Sequence, residues 1–398
     1  MITKLNAIYI DLLFKVHMDF TRYLYEQINW NNRLIMIKGA KGVGKTTMLL
    51  QHIRKTFSDP TKALYASADN SWFATHTISE LAAYMVANGM THLFLDEVHK
   101  YRGWDQQIKE VYDSYPDLKV VITGSSMLHL EECEYDLGRR CRQYTMYGLS
   151  FREYLKLEGL ADWPVLTLAD ILSGHVMTAG RLTNELHIMK QFSEYLQHGY
   201  YPFYREEGDG FAQRLDVNIN NIIQVEIPSI EKKIEYESIY KIKILLGILA
   251  EQNPYTLNIN ELSKTLNSSR DIIYKMLHLM HRAALIRRLF QKPTGMKILQ
   301  KPEKILFDNP NLMYALSSTI DVGTLRETFV ANMLSVDHKI CMPSKGDILV
   351  DQQYLFEVGG KNKDYHQIAG EPNSYIVRDN IEIGAMNKIP LWMFGLLY

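Results

Sequence analysis

In the first third of the chain, apolar residues gather in short runs separated by stretches of helical periodicity. LIMIK (34–38), ALYASADN (63–70), THLFLDEVHK (91–100) and LKVVITGSS (118–126) read as strands buried on both faces. Between them, MLLQHIRKTF (48–57) and the segments 77–88 and 105–113 place apolar residues at helical spacing. Strand alternating with helix predicts an α/β fold with a parallel sheet covered on both faces, its ligands at the carboxyl ends of the strands. Apolar and aromatic positions over 5–25 predict a helix leading into the first strand, with Asn31-Asn32 as the turn.

The pattern then changes. Residues 160–225 read as helical, with a break at GYYP (199–202). KIKILLGILAEQ (241–252), NINELSKTLN (258–267) and SRDIIYKMLHLMHRAALI (269–286) predict three short helices. With a hairpin over 287–300 around Pro293-Thr294-Gly295, they suggest a winged helix whose recognition helix begins at 269. Further on, TLRETFVANMLSV (324–336) predicts a helix with Glu327 on its polar side, and GDILVDQQYLFEVGGKNK (346–363) predicts strand, turn, strand. The expected domains are 1–158, 159–300 and 301–398.

Composition narrows the class. Hydrophobic residues make up 46% and charged residues 22%, which excludes a disordered chain. Cys133, Cys141 and Cys341 form no CxxC pair, so neither a zinc cluster nor a disulfide framework is expected. The N-terminus has no signal-peptide core, and no stretch reaches about 18 consecutive apolar residues. The expectation is a cytoplasmic protein without a membrane partner. Net charge is −1, which argues against a nucleic-acid partner until its distribution is seen. Lys264 to Lys304 hold ten Lys/Arg and two Asp/Glu, a local +8 that leaves −9 for the rest.

The chemistry starts at GAKGVGKTT (39–47), which follows the first strand and opens a helix. This is the context of the phosphate-binding loop G-x-x-x-x-G-K-[ST]. The candidate ATP-binding residues are Gly39, Ala40, Lys41, Gly42, Val43, Gly44, Lys45, Thr46 and Thr47. Glycines let successive N–H groups turn inward as an anion nest, and the helix N-terminus favours negative charge. Lys45 is placed to reach the β- and γ-phosphates and Thr46 to ligate Mg²⁺. THLFLDEVHK ends in two carboxylates: Asp96 is the second candidate Mg²⁺ ligand and Glu97 the candidate base that polarises the attacking water. His99 is a candidate support for Glu97. Ser125, or Thr123, is the candidate γ-phosphate sensor at the end of its strand. Arg139, Arg140 and Arg142 form a basic cluster; Arg140 is the candidate arginine finger, in cis or across a subunit boundary, with a solvated turn as the alternative.

Two further groups carry open alternatives. In a DNA-binding winged helix, Arg270, Lys275, Lys292 and Lys297 would meet DNA; otherwise the basic segment is an intramolecular lid facing the acidic remainder. Glu327, Asp347, Glu357 and Lys361 have the residue types of a PD-(D/E)xK nuclease, with carboxylates for Mg²⁺ and a Lys for the water. Gly359 stands where that pattern places its Lys, which points to a degenerate, structural domain unless a bulge at Gly359-Gly360 moves Lys361.

GAKGVGKTT, LFLDEVHKYRGW, VVITGSS and LGRRCRQYTMYGLSFREYL resemble the AAA+/STAND-type P-loop ATPases of bacteria and archaea. In particular they resemble the group joined to a C-terminal nuclease-like region, and YLQHGYYPFY, KILFDNPNLMYAL, LFEVGGKNK and NKIPLWMFGLLY extend the likeness nearly to the end. That family commonly has Arg where this chain has Lys41. The expected fold is thus a P-loop NTPase sheet, then a helical and winged-helix region and an α+β restriction-endonuclease-like domain. The resemblance implies ATP binding, with Lys45, Thr46, Asp96 and Glu97 at the family's motif positions. With Mg²⁺ at Thr46 and Asp96, the expected function is a slow ATPase acting as a molecular switch. An ATP-responsive DNA-binding regulator and an ATP-gated nuclease are the alternatives. The oligomeric state stays open.

Overall fold

The computed structural model describes residues 2–124, 137, 139–231, 234–251, 258–291 and 304–398. They fall into two compact units, Met1–Gly148 and Leu149–Tyr398.

In the first unit, β1 (Leu34–Lys38), β2 (Ala63–Ser67), β3 (His92–Asp96), β4 (Lys119–Gly124) and β5 (Arg142–Thr145) form a sheet of order β2-β3-β4-β1-β5, parallel throughout. The middle positions of β1 to β4 are buried without alternation, the signature of a sheet covered on both faces. Its helices are α1 (Thr3–Lys15), α2 (Lys45–Thr56), α3 (Ile78–Ala87) and α4 (Trp104–Ser114). Local sequence sets where they start. At α3, for example, Thr77 and Glu80 close a capping box that satisfies two backbone donors. The expected α/β architecture is present, and it is the P-loop NTPase fold.

Two features depart from the sequence reading. The helix expected over 5–25 stops at Lys15, and only Leu24–Gln27 form a further helical turn. Beyond Lys15, side chains of α2 satisfy carbonyls of the non-helical segment. Arg54 donates to Val16 O at 3.0 Å, and Gln51 donates to His17 O and Phe20 O at 2.7 and 2.8 Å. The second departure is β5, an edge strand of sequence RQYT that no apolar run announced.

The second unit begins with α5 (Phe151–Leu157), α6 (Leu168–Leu182), α7 (Ile188–Glu194) and α8 (Phe211–Asn221). Then come α9 (Tyr236–Glu251), α10 (Ile259–Thr265) and α11 (Arg270–Arg282), the three expected helices. β6 (Ile286–Leu289) pairs antiparallel with β7 (Lys304–Phe307). Ser125 lies outside the described residues, and so does the turn expected at Pro293-Thr294-Gly295, with Lys292 and Lys297. After α12 (Pro310–Leu316) and α13 (Val322–Leu334), a mixed sheet closes the unit. It comprises β8 (Ile340–Cys341), β9 (Ile348–Val350), β10 (Tyr354–Gly359), β11 (Ser374–Arg378) and β12 (Lys388–Pro390), ordered β12-β11-β10-β9-β8. β8, β9 and β10 run antiparallel, and β10, β11 and β12 parallel. This gives an α+β region after the helices. α13 packs on β10 and is buried almost all round. No helix among the described residues is long and apolar enough to cross a membrane.

Candidate functional site

The loop from Gly39 to Gly44 joins β1 to α2 at the carboxyl end of the sheet, beside the ends of β3 and β4. Its shape depends on glycine in two ways. Gly42 and Gly44 have φ of 86° and 99°, where a Cβ would clash. At Gly39 a Cβ would stand 2.3 Å from the carbonyl oxygen of Met146, next to the end of β5. Arg22, buried in this unit, braces the loop from behind. Its guanidinium donates to Val43 O, to Tyr147 O at 2.9 Å and to Gly148 O at 2.7 Å. Holding the Val43 carbonyl backward leaves the N–H side of the loop to face an anion.

Lys45 opens α2 and is 5% exposed. Its Nζ donates to Gly39 O and Ala40 O, each at 2.8 Å, so the ammonium already lies across the mouth of the loop. Thr46 follows, and its hydroxyl donates to Asp96 Oδ2. Asp96 ends β3 and is 2% exposed. The same Oδ2 accepts from the Tyr65 hydroxyl at 2.9 Å, and Oδ1 accepts from the Thr123 hydroxyl. Burial first, then the Asp96 charge, push the Tyr65 phenol far above its ordinary range.

Glu97 adopts a left-handed conformation, φ 53° and ψ 38°. For a residue with a Cβ this strain is of order 1–2 kcal/mol, and such strain gathers at functional sites. It turns the backbone sharply after β3, with Glu97 N 3.1 Å from Asp96 Oδ1. The buried His99 ring lies behind, with Nε2 3.7 Å from Glu97 Oε2. His99 therefore stands where support for Glu97 was expected.

The residues expected to act on ATP and Mg²⁺ are brought together, and they fit those groups chemically. A carboxylate and a hydroxyl are hard oxygen donors of the kind Mg²⁺ selects. An anion nest backed by an ammonium suits polyphosphate. Thr123, the alternative sensor, is fully buried and turned to Asp96. Arg140 is elsewhere: it forms a two-pronged pair with Asp113 at 3.1 and 3.2 Å. Arg142, two residues on, lies level with Ile35 near the start of β1, whereas the loop leaves the far end of that strand. Within one chain Arg140 thus sits at the edge of the sheet away from the loop.

A second cluster lies in the other unit. Glu327, expected on a polar face, is buried with 2% exposure, because α13 is packed on nearly every side. Lys304 of β7, itself 3% exposed, pairs with Glu327, and its Nζ is 3.7 Å from Asp347 Oδ1. Lys361 is exposed and does not pair with Glu357. Lys363 pairs with Glu357 instead. A Cβ on Gly359 would lie 2.7–2.8 Å from the stem of Lys363, so the missing side chain makes room for that lysine. Burial, then the nearby Asp347, push the Glu357 carboxyl above its ordinary range against the pull of Lys363. Three acids drawn from α13, the start of β9 and β10 are thus matched by two ammoniums. Among the described residues, no group of three or more His, Cys, Asp or Glu has metal-binding geometry. Lys304→Met, which strips Glu327 of this partner, is expected to lower stability by about 3–5 kcal/mol. Adding Glu327→Gln should recover part of it, and chemical denaturation reads both.

On α11, Arg270 is exposed, while Lys275 is engaged with Glu231 at 3.1 Å, both partly exposed. Arg22, Tyr65, Lys304 and Lys363 were not singled out from sequence. Only Lys363 left a signal there, the glycine at 359.

Residues 31–155 match the family model of an AAA domain, and residues 189–322 match a domain of unknown function (DUF8612). Uncharacterized protein MJ1637 of Methanocaldococcus jannaschii is 26% identical over 295 residues, covering 70% of this chain and 61% of that protein. The chain thus spans about three fifths of that relative's length. Uncharacterized protein MJ1544 of the same organism is 22% identical over 368 residues, 90% of this chain and 76% of its own. Among solved structures, the Walker-type ATPase PABY2304 of Pyrococcus abyssi aligns over 76% of this chain and 99% of that one, at 12% identity and a TM-score of 0.45. The AAA match to residues 31–155, on a P-loop NTPase fold with this loop geometry, supports an AAA-like, ATP-binding domain.

Proposed function

We propose that the chain binds ATP with Mg²⁺ at the Gly39–Thr47 loop and hydrolyses it slowly, as a switch of the AAA+/STAND type. The observation that carries this reading is the convergence of Lys45, Thr46, Asp96 and Glu97 at one end of the sheet, with Thr46 already bonded to Asp96. The triphosphate lies along the N–H groups of the loop. Lys45 leaves the Gly39 and Ala40 carbonyls and follows the β- and γ-phosphates. Thr46 and Asp96 would hold Mg²⁺, which supplies charge neutralisation on the phosphoryl oxygens. Glu97, held in its strained turn and backed by His99, orients a water against the γ-phosphate and takes its proton. Ser125 is a sensor candidate by motif position, and Arg140 acts only if a second chain presents it. The switch is tested by phosphate release under single-turnover conditions. Release no faster than with heat-denatured protein counts against hydrolysis.

A second reading, a DNA-binding regulator, draws on the exposed Arg270 at the start of α11 and the antiparallel pair that follows. If it is right, duplex binding seen at about 50 mM salt falls steeply toward 200 mM and weakens in Arg270→Ala. No binding at 50 mM discards it. For the nuclease reading the pairing works the other way, since Lys304 and Lys363 engage the acids that would hold a metal.

A further inference from the structure

Tyr65 lies on β2, the strand beside that of Asp96, and was read from sequence only as part of an apolar run. Its ring is buried, 5% exposed, and its hydroxyl donates to Asp96 Oδ2 at 2.9 Å. Thr46 donates to the same oxygen, while Thr123 and the Glu97 N–H hold Oδ1. Of the two hydroxyls on Oδ2, the loop motif commits Thr46 to the cation. Thr46 and Asp96 would hold Mg²⁺, and the Tyr65 bond to the carboxylate does not depend on Thr46.

We propose that Tyr65 is a positioning residue for the Mg²⁺ of the nucleotide, acting through Asp96. The inference rests on the nucleotide reading above. Tyr65 and Thr123 grip the carboxylate from its two oxygens and fix its rotation. With Tyr65, Thr123 and the Glu97 N–H in place, the Oδ2 lone pair that Thr46 occupies is the one that would be left for the cation. Groups that orient a ligating carboxylate from behind change metal affinity by about 10–100-fold when removed. A merely structural tyrosine would behave differently. Its hydroxyl would be satisfied by Asp96, and its loss would lower stability without touching the cation.

The two roles separate in a titration of Mg²⁺ into protein carrying a fluorescent methylanthraniloyl-ATP, with EDTA as the metal-free reference. Tyr65→Phe should bind the nucleotide in EDTA as the wild type does and need about tenfold more Mg²⁺ for half-saturation. Replacement of Tyr65 by 4-aminophenylalanine, which keeps an N–H donor at the same place, should restore the wild-type Mg²⁺ requirement. If Tyr65→Phe does not fold, Tyr65→Met, which fills comparable volume without a donor, takes its place. An unchanged Mg²⁺ half-saturation, or an equal loss of affinity in EDTA and in Mg²⁺, overturns the role assigned to Tyr65. A wild-type protein that binds nucleotide no better with Mg²⁺ than without overturns the Mg²⁺ site itself, a result distinguishable from failure of the variant alone.

Discussion

Lys45→Ala is expected to weaken ATP binding on the order of a hundredfold, which at ordinary concentrations means loss of binding. The ammonium is buried and held by two loop carbonyls at 2.8 Å, so it is ordered before nucleotide arrives. A hydrogen bond from a charged group is worth about 1.5–3 kcal/mol, and the upper end corresponds to roughly a hundredfold in affinity. Truncation removes the one side chain at the loop that follows the phosphates without altering the glycines that shape it. The truncation frees two loop carbonyls, Gly39 buried and Ala40 half-buried, so a loss of stability is expected beside the loss of affinity. Fluorescence titration with the melting curve as control checks this. Unchanged ATP affinity in a folded Lys45→Ala protein would remove the loop from the account.

Glu97→Gln is expected to divide binding from turnover. The amide keeps the size of the carboxylate and its place beside His99, so Mg²⁺-ATP should bind within a few-fold of wild type. The amide cannot take a proton from water, and general-base removal slows such reactions by about 10²–10⁴-fold. The left-handed backbone at this position is unaffected by the change, since Gln and Glu share the same Cβ constraint. Phosphate release should therefore fall toward background while nucleotide stays bound. Turnover persisting at the wild-type rate would show that another group prepares the water.

Most of the candidate nucleotide site was legible in sequence because its parts are local. The Gly39–Thr47 loop, the strand before it and the helix after it lie within a single stretch, and an apolar run ending in Asp96-Glu97 marks the next strand end. Their convergence followed from one rule, that a parallel sheet collects its strand ends on one edge. What escaped depends on tertiary contact. Tyr65 sits in ALYAS, where an aromatic reads as core, and nothing in the pattern shows that its hydroxyl reaches a neighbouring strand. Arg22 fell within the helix expected over 5–25 and was not singled out; in the fold the helix has already ended and the guanidinium donates to Tyr147 O and Gly148 O. β5 is an edge strand of polar residues, without the burial that makes strands visible.

The second unit shows the same limit for charged residues. Lys304 counted toward the basic excess, and therefore toward a solvated or DNA-facing surface, yet it is buried against Glu327. Lys361 was singled out as the lysine nearest in sequence to the Gly359 position. In the structure Lys363 takes that part, its stem filling the space left at Gly359 and its ammonium pairing with Glu357. Residue types and spacing identified the acids, but the direction of each side chain decided which lysine met them. The local charge of +8 therefore overstates the exposed basic surface.

The central claim is that the first unit is a Mg²⁺-dependent nucleotide site. Calorimetric titration of ATP into the wild-type chain, with and without Mg²⁺, tests it most directly. One saturable site per chain is expected, tighter with Mg²⁺ than in EDTA and displaced by ADP. Absence of saturable heat in both conditions, from protein shown to be folded by its melting transition, would contradict it.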